Sequence, residues 1–141
     1  MFKKIFLIFA IATFLIGTSL ICTSCKRPIT TLLFNDSPIT KETILNYSRN
    51  FYTGQKIYFI FISEKPIVAD RVRIQIYKYN DPGNMLTDLV YGIDHKVHLD
   101  EYYYVTDYVV LHQAGHYMMQ IFARDQLYEA LTGSDFYVKD R

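Results

Sequence analysis

The sequence predicts an all-β domain, an antiparallel β-sandwich, and three observations carry that expectation. Arg71-Val72-Arg73-Ile74-Gln75-Ile76-Tyr77-Lys78 alternates polar and apolar side chains, so Val72, Ile74 and Ile76 face a core while Arg71, Arg73 and Gln75 face water. Ile57-Tyr58-Phe59-Ile60-Phe61-Ile62 is an unbroken apolar run of strand length, as in a central strand covered on both faces. The chain holds 13 Tyr and 10 Phe but no Trp, and tyrosine is favoured both in half-buried strands and at contact surfaces.

The elements follow in order. Lys3 and Lys4 precede an uncharged stretch from Ile5 to Cys22, which ends in Ile21-Cys22-Thr23-Ser24-Cys25. A basic start, an apolar run and small residues before a cut form the layout of a secretory signal peptide. An uncleaved membrane helix is the alternative, since 18 uncharged residues reach the lower edge of a span. Gly17, Thr18 and Ser19 weaken such a helix and only Lys26 and Arg27 follow as a stop signal, so residues 1–24 read as a cleaved leader. Residues 25–28 are then a short tether and residues 29–141 the folded domain. Ile29 to Phe34 reads as the first strand, and Ile39 to Tyr47 carries the one hint of helical period. Gly54-Gln55-Lys56 turns into the Ile57–Ile62 strand. Asp81-Pro82-Gly83-Asn84 is a turn, followed by strands over Met85 to Tyr91 and Tyr102 to Leu111. Tyr117 to Arg124 and Leu127 to Thr132 read as a hairpin across Asp125-Gln126, with a bulge at Gly133 and Ser134 before a last strand, Phe136 to Val138. Strands at this spacing, with turns between them, suit a sandwich or barrel.

Two short stretches resemble known families. Residues 1–25, ending in Thr23-Ser24-Cys25, resemble the relaxed lipoboxes of bacterial, spirochaetal-type lipoproteins, although Cys22 stands where a strict lipobox has Leu. The resemblance implies that Cys25 becomes the mature N-terminus and carries a diacylglycerol thioether, with a further acyl chain on its amine. Two or three such chains anchor permanently where one would be marginal, at about 0.8 kcal/mol per buried methylene. Ala114-Gly115-His116-Tyr117-Met118-Met119 is similar to the corner that opens strand F of immunoglobulin-like domains. It implies an inward Tyr117 whose hydroxyl bonds to the upstream backbone, with Met119 in place of the antibody cysteine. No strand-C Trp is present, which points to bacterial immunoglobulin-like or PKD-like modules over antibody-type ones.

Charge and cysteine content narrow the function. Lys3 and Lys4 leave with the leader, so the 15 basic residues become 13 against 14 acidic ones, a net charge of −1. With no basic stripe, nucleic acid is not an expected partner. Cys22 and Cys25 are the only cysteines; a Cys-x-x-Cys redox or metal motif inside an apolar leader would lack its other ligands. No cofactor is expected beyond the lipid on Cys25.

Searching for chemistry yields little. His95, His98, His112 and His116 fall in one window beside Asp94, Asp100 and Glu101, a ligand set suited to zinc. His95 and His98 are three apart, so on a strand they point to opposite faces, and the four are expected not to form a site. Ser63, Thr106 and Ser134 lie in no nucleophile elbow, and the 6 glycines form no phosphate loop. Asp107, alone among apolar neighbours, reads as an outward carboxylate. The expectation is therefore a non-enzymatic, membrane-anchored protein of the cell envelope. Its binding face would gather Arg73, Tyr77, Met118, Gln120 and Phe122 on the outside of paired strands C and F, to hold another envelope protein. The short tether suits a periplasmic position; a surface adhesin is the second reading, and a lipoprotein that binds a metal or small ligand through the histidine cluster is the third.

Overall fold

Period-two alternation in the sequence becomes two facing sheets. The computed structural model describes residues 28–80 and 87–141. The leader, Cys25, the tether to Arg27, the Asp81–Asn84 turn and Met85-Leu86 lie outside the described residues. Among those described, the strands are β1 (Thr30–Asn35), β2 (Asn50–Tyr52), β3 (Lys56–Ser63), β4 (Arg71–Tyr79), β5 (Thr87–Lys96), β6 (Tyr104–Val110), β7 (Gly115–Ala123) and β8 (Thr132–Lys139). One sheet runs β1-β3-β6 and the other β2-β8-β7-β4-β5. Every pairing is antiparallel except β2 with β8. No helix among the described residues is long and apolar enough to cross a membrane.

The connectivity makes this an immunoglobulin-like sandwich. β1, β3 and β6 stand as strands A, B and E, and β4, β5, β7 and β8 as C, C′, F and G, with C and F paired. Val72, Ile74 and Ile76 of β4 are sealed in the core, as the alternation predicts. β3 is covered on both faces at Ile60, which is 6% exposed although it points away from Phe59 and Phe61. Its outer neighbours are Ile39 and Ile44, which line the same groove as Ile60 and Ile62. The 39–47 segment makes a single turn, closed by Ile44 N–H donating to Thr40 O (3.0 Å), and no helix.

Aromatic rings join the sheets. Phe136 on β8 packs 4.8 Å from Phe34 on β1, 6.0 Å from Phe51 on β2 and 5.7 Å from Tyr117 on β7. Tyr117 is buried, and its hydroxyl donates to Gln113 O at 2.8 Å, closing the corner as expected. Burial pushes its phenol pKa up, so the hydroxyl stays a donor. Met119 is fully buried two residues on, filling with a flexible apolar side chain what a disulfide would occupy. A Cβ at Gly115 would lie 2.6 Å from Lys78 Cε, so the flexible end of that lysine would have to move aside. Gly54 turns the chain into β3 at φ 75°, a conformation that glycine adopts without strain.

Three expectations fail. Residues 127–131 form no strand; Leu131 N–H reaches Ile121 O at 2.7 Å, but ladder pairing with β7 starts only at Thr132, opposite Ile121. The β7–β8 register is unbroken through Gly133 and Ser134, so no bulge sits there. The bulge is on β5, where Ile76 faces Tyr91 but Tyr77 faces Leu89, leaving Val90 extra. β5 also continues past Tyr91 to Lys96, since edge pairing with β4 outlasts the apolar stretch. Tyr117→Phe removes the corner hydrogen bond while keeping the ring, and should lower stability by about 1 to 2 kcal/mol. A lower urea midpoint with an unchanged slope is the expected readout.

Candidate binding face and an inter-sheet histidine

The outer face of the five-stranded sheet is built in rows by the β4–β7 register. With Val72, Ile74 and Ile76 inward, the odd-numbered residues of β4 must point out. Arg73 lies opposite Phe122, Gln75 opposite Gln120 and Tyr77 opposite Met118. The five residues of the expected face are therefore brought together, with Gln75 completing the middle row. Gly92 of β5 and Gly133 of β8 flank that row, so the two glutamines stand between side-chain-free positions. Tyr77 Oη donates to Gln75 Oε1 at 2.7 Å and fixes both on the surface.

Phe122 corrects the expectation. It points outward by alternation, yet it is only 7% exposed. It stands opposite Arg73, a long side chain able to shield an aromatic neighbour. Phe122 thus supports the face without being open for contact. Arg73 is also occupied: its Nε donates to Asp94 Oδ1 at 2.6 Å, while Arg124 Nε donates to Asp94 Oδ2 at 2.8 Å. The Arg73 bond, helped by the charge of Arg124, holds the Asp94 carboxyl below the usual aspartate range.

The strongest aromatic feature of this face centres on His116, which the sequence offered only as a metal candidate, with two tyrosines not selected from the sequence. Tyr79, His116 and Tyr137 stack across β4, β7 and β8, with centroids 4.3 Å apart in each pair and planes within 24° and 11°. His116 Nε2 lies 3.1 Å from Asp135 Oδ2, and Arg49 Nη1 donates to Asp135 Oδ1 at 3.2 Å. The His116 bond is the main cause of the lowered Asp135 pKa. Period two sets the faces: Tyr79 follows Tyr77 on one face of β4, and Tyr137 lies between inward Phe136 and Val138; the strand order brings the rings together.

The histidines do not converge on a metal. No group of three or more metal-ligating side chains is suitably placed among the described residues. His116 is held in the stack and His112 is exposed on the β6–β7 connection. His95 and His98 do meet edge-on at 6.2 Å, but His95 is bound to carboxylates. Its Nε2 lies 3.1 to 3.2 Å from the oxygens of Glu101, and its Nδ1 lies 3.3 Å from Asp107 Oδ2. Glu101 is buried and also accepts from His98 N–H at 2.9 Å. Asp107 overturns its outward reading, since it alternates with buried Val105 and Val109 and pairs with inward Phe59. β5 and β6 are both edge strands, and at that side of the sandwich the Asp107 side chain stays 38% exposed although it points inward. A protonated His95 ring can donate to both acids at once, and a neutral one to only one. The site is a polar clasp between the sheets. Beside it, burial first and then the charge of Asp107 push the Tyr91 phenol pKa up.

No protein-family model matches the chain, and no curated protein matches its sequence. Among solved structures it is similar to an immunoglobulin-like protein from Pseudomonas aeruginosa, at 9% identity and a TM-score of 0.45, over 81% of this chain and 99% of that one. It is also similar to part of a beta-glucosidase from Listeria innocua crystallised with gluconolactone, at 8% identity and a TM-score of 0.40, over 79% of this chain and 16% of that one.

Asp94 and Asp135 both have folded pKa values below their unfolded ones, so each contributes stability that is complete at neutral pH. That contribution drains as pH falls from about 4 through the lowered value. Unfolding by urea across this range should show a steep acid limb in the native chain, and Asp94→Asn with Asp135→Asn should flatten it.

Proposed function

We propose that this is a non-enzymatic lipoprotein of the cell envelope, anchored through acylated Cys25, whose work is to hold another envelope protein on the outer face of the five-stranded sheet. The observation that carries this reading is the row of stacked rings, Tyr79, His116 and Tyr137, continued by Tyr77 and Met118 on a sheet face that no element of the described chain covers. Tyr and Met are enriched at protein contacts. Rings already ordered by stacking lose little freedom when a partner arrives, and such preorganisation favours affinity. The glutamine row supplies donors and acceptors between flanking glycines, where a partner backbone has room to approach.

The anchor sets the location. A tether of Cys25-Lys26-Arg27-Pro28 keeps the domain at the membrane surface, which suits a periplasmic protein. Protease added to intact cells should leave it whole, and its degradation would move the reading to a surface adhesin. Intact mass should exceed that of the 117-residue mature chain (141 less residues 1–24) by two or three acyl chains, and Cys25→Ser should release the protein from membranes. Crosslinking from a photoreactive residue at position 120 in native envelopes should capture a defined partner. Gln75→Lys with Met118→Lys should abolish that capture without moving the thermal midpoint, because outward substitutions change stability by about 0.5 kcal/mol or less. Unchanged capture would discard the face.

A further inference from the structure

The end of the sandwich from which the anchor emerges carries its own apolar surface. β1 starts at this end, opposite the last residue of β3. The β3–β4, β5–β6 and β7–β8 connections all lie there too, since β3, β5 and β7 run towards it. Backbone bonds knit them together: Ser63 N–H and Ile67 N–H donate to Tyr103 O and Tyr102 O at 2.8 Å each, and Glu64 N–H donates to Ile29 O at 3.0 Å. Thr30 Oγ1 donates to Leu131 O at 2.8 Å. The three loops and the start of β1 therefore form one ordered surface.

That surface displays side chains a water-facing end would not need. Val68 is 95% exposed, Leu99 fully exposed, Tyr128 84% and Ile29 65%, with Tyr102 and Leu127 also open. Each loop contributes at least one. Single exposed apolar residues are ordinary, but a cluster on one end marks a contact surface. Aliphatic tips ringed by tyrosines suit the boundary between headgroups and acyl chains, where tyrosine is enriched.

We infer that Val68, Leu99 and Tyr128 seat this end of the sandwich in the interfacial layer of the bilayer, as a second attachment beside the lipid. The inference rests on the acylation of Cys25 proposed above. From Cys25 to Thr30 the chain can span at most about 18 Å, so the end bearing these loops is the one held at the membrane. Attraction to anionic lipid is not the driving force, because acidic Glu64, Asp70, Asp100, Glu101, Asp125 and Glu129 outnumber Lys65 and Arg124 in the loops. The carboxylate of Asp100 beside Leu99 limits insertion to the interface.

The chain has no Trp, so Val68→Trp, Leu99→Trp and Tyr128→Trp each introduce one reporter at an exposed site. Tyr52→Trp, at the opposite end where β2 meets the last residue of β8, is the control. The full mature chain is placed in neutral phosphatidylcholine vesicles with brominated acyl chains, and flotation is measured on the same samples. The three loop reporters should shift to shorter wavelength and lose emission to bromine, while the control stays unquenched. Vesicle-bound protein with unquenched loop reporters would overturn the inference and leave the anchor standing. A short-wavelength reporter that bromine does not quench would mean burial against another copy, and would overturn it too. Protein that fails to float would remove the anchor and the inference together.

Discussion

The two sheets are joined by aromatic packing and by nothing covalent, and the rest of the structure depends on that. The only cysteines are at positions 22 and 25, so no bridge can link β3 to β7 as in antibody domains. Phe136 takes up the task by touching rings from β1, β2 and β7 at once. Removing a ring of this size from a sealed core costs about 3 to 5 kcal/mol, a large part of the stability of a domain of this size. Met119 supplies adaptable volume beside it. The tyrosine corner completes the arrangement by tying the entry of β7 to the preceding turn, so the strand that presents the central face starts from a fixed point.

Inner packing and outer display are consequences of one register. Pairing β4 with β7 so that Ile74 meets Ile121 buries one side of both strands, and forces Gln75 onto Gln120 and Tyr77 onto Met118 on the other. A shift of one residue would exchange the two sides entirely. The core therefore specifies which side chains stand on the outer face of the sheet. Ion pairs then hold the rim: Asp94 is gripped by two arginines at one end of the face, and Asp135 by His116 and Arg49 at the other.

What the sequence made legible was what local pattern controls. Alternation located β4 and the outward set on β7, and Ala114-Gly115-His116-Tyr117 announced the corner because each residue has a backbone or packing task there. What it hid depended on neighbours distant in the chain. Asp107 faces inward because β6 is an edge strand beside an open seam, which no window around position 107 records. Phe122 is shielded by what stands across the sheet. The 127–131 stretch has enough apolar character for a strand, but only Leu131 bonds to β7 and the ladder begins at Thr132. The Tyr79–His116–Tyr137 stack was within reach of period-two reasoning, but it joins three strands and required their order to be known.

The bulge at Val90 has a further consequence. β5 is the free margin of the larger sheet, ten residues long, and carries exposed Leu89, Val90 and Ile93. An even margin of that composition would offer a ready template for another chain. The extra residue interrupts the ladder in its middle and increases the local twist, and Asp94 and Lys96 add charge beyond it. A single unpaired position thus divides the free margin of the sheet into two short ladders, neither long enough to template an even ribbon.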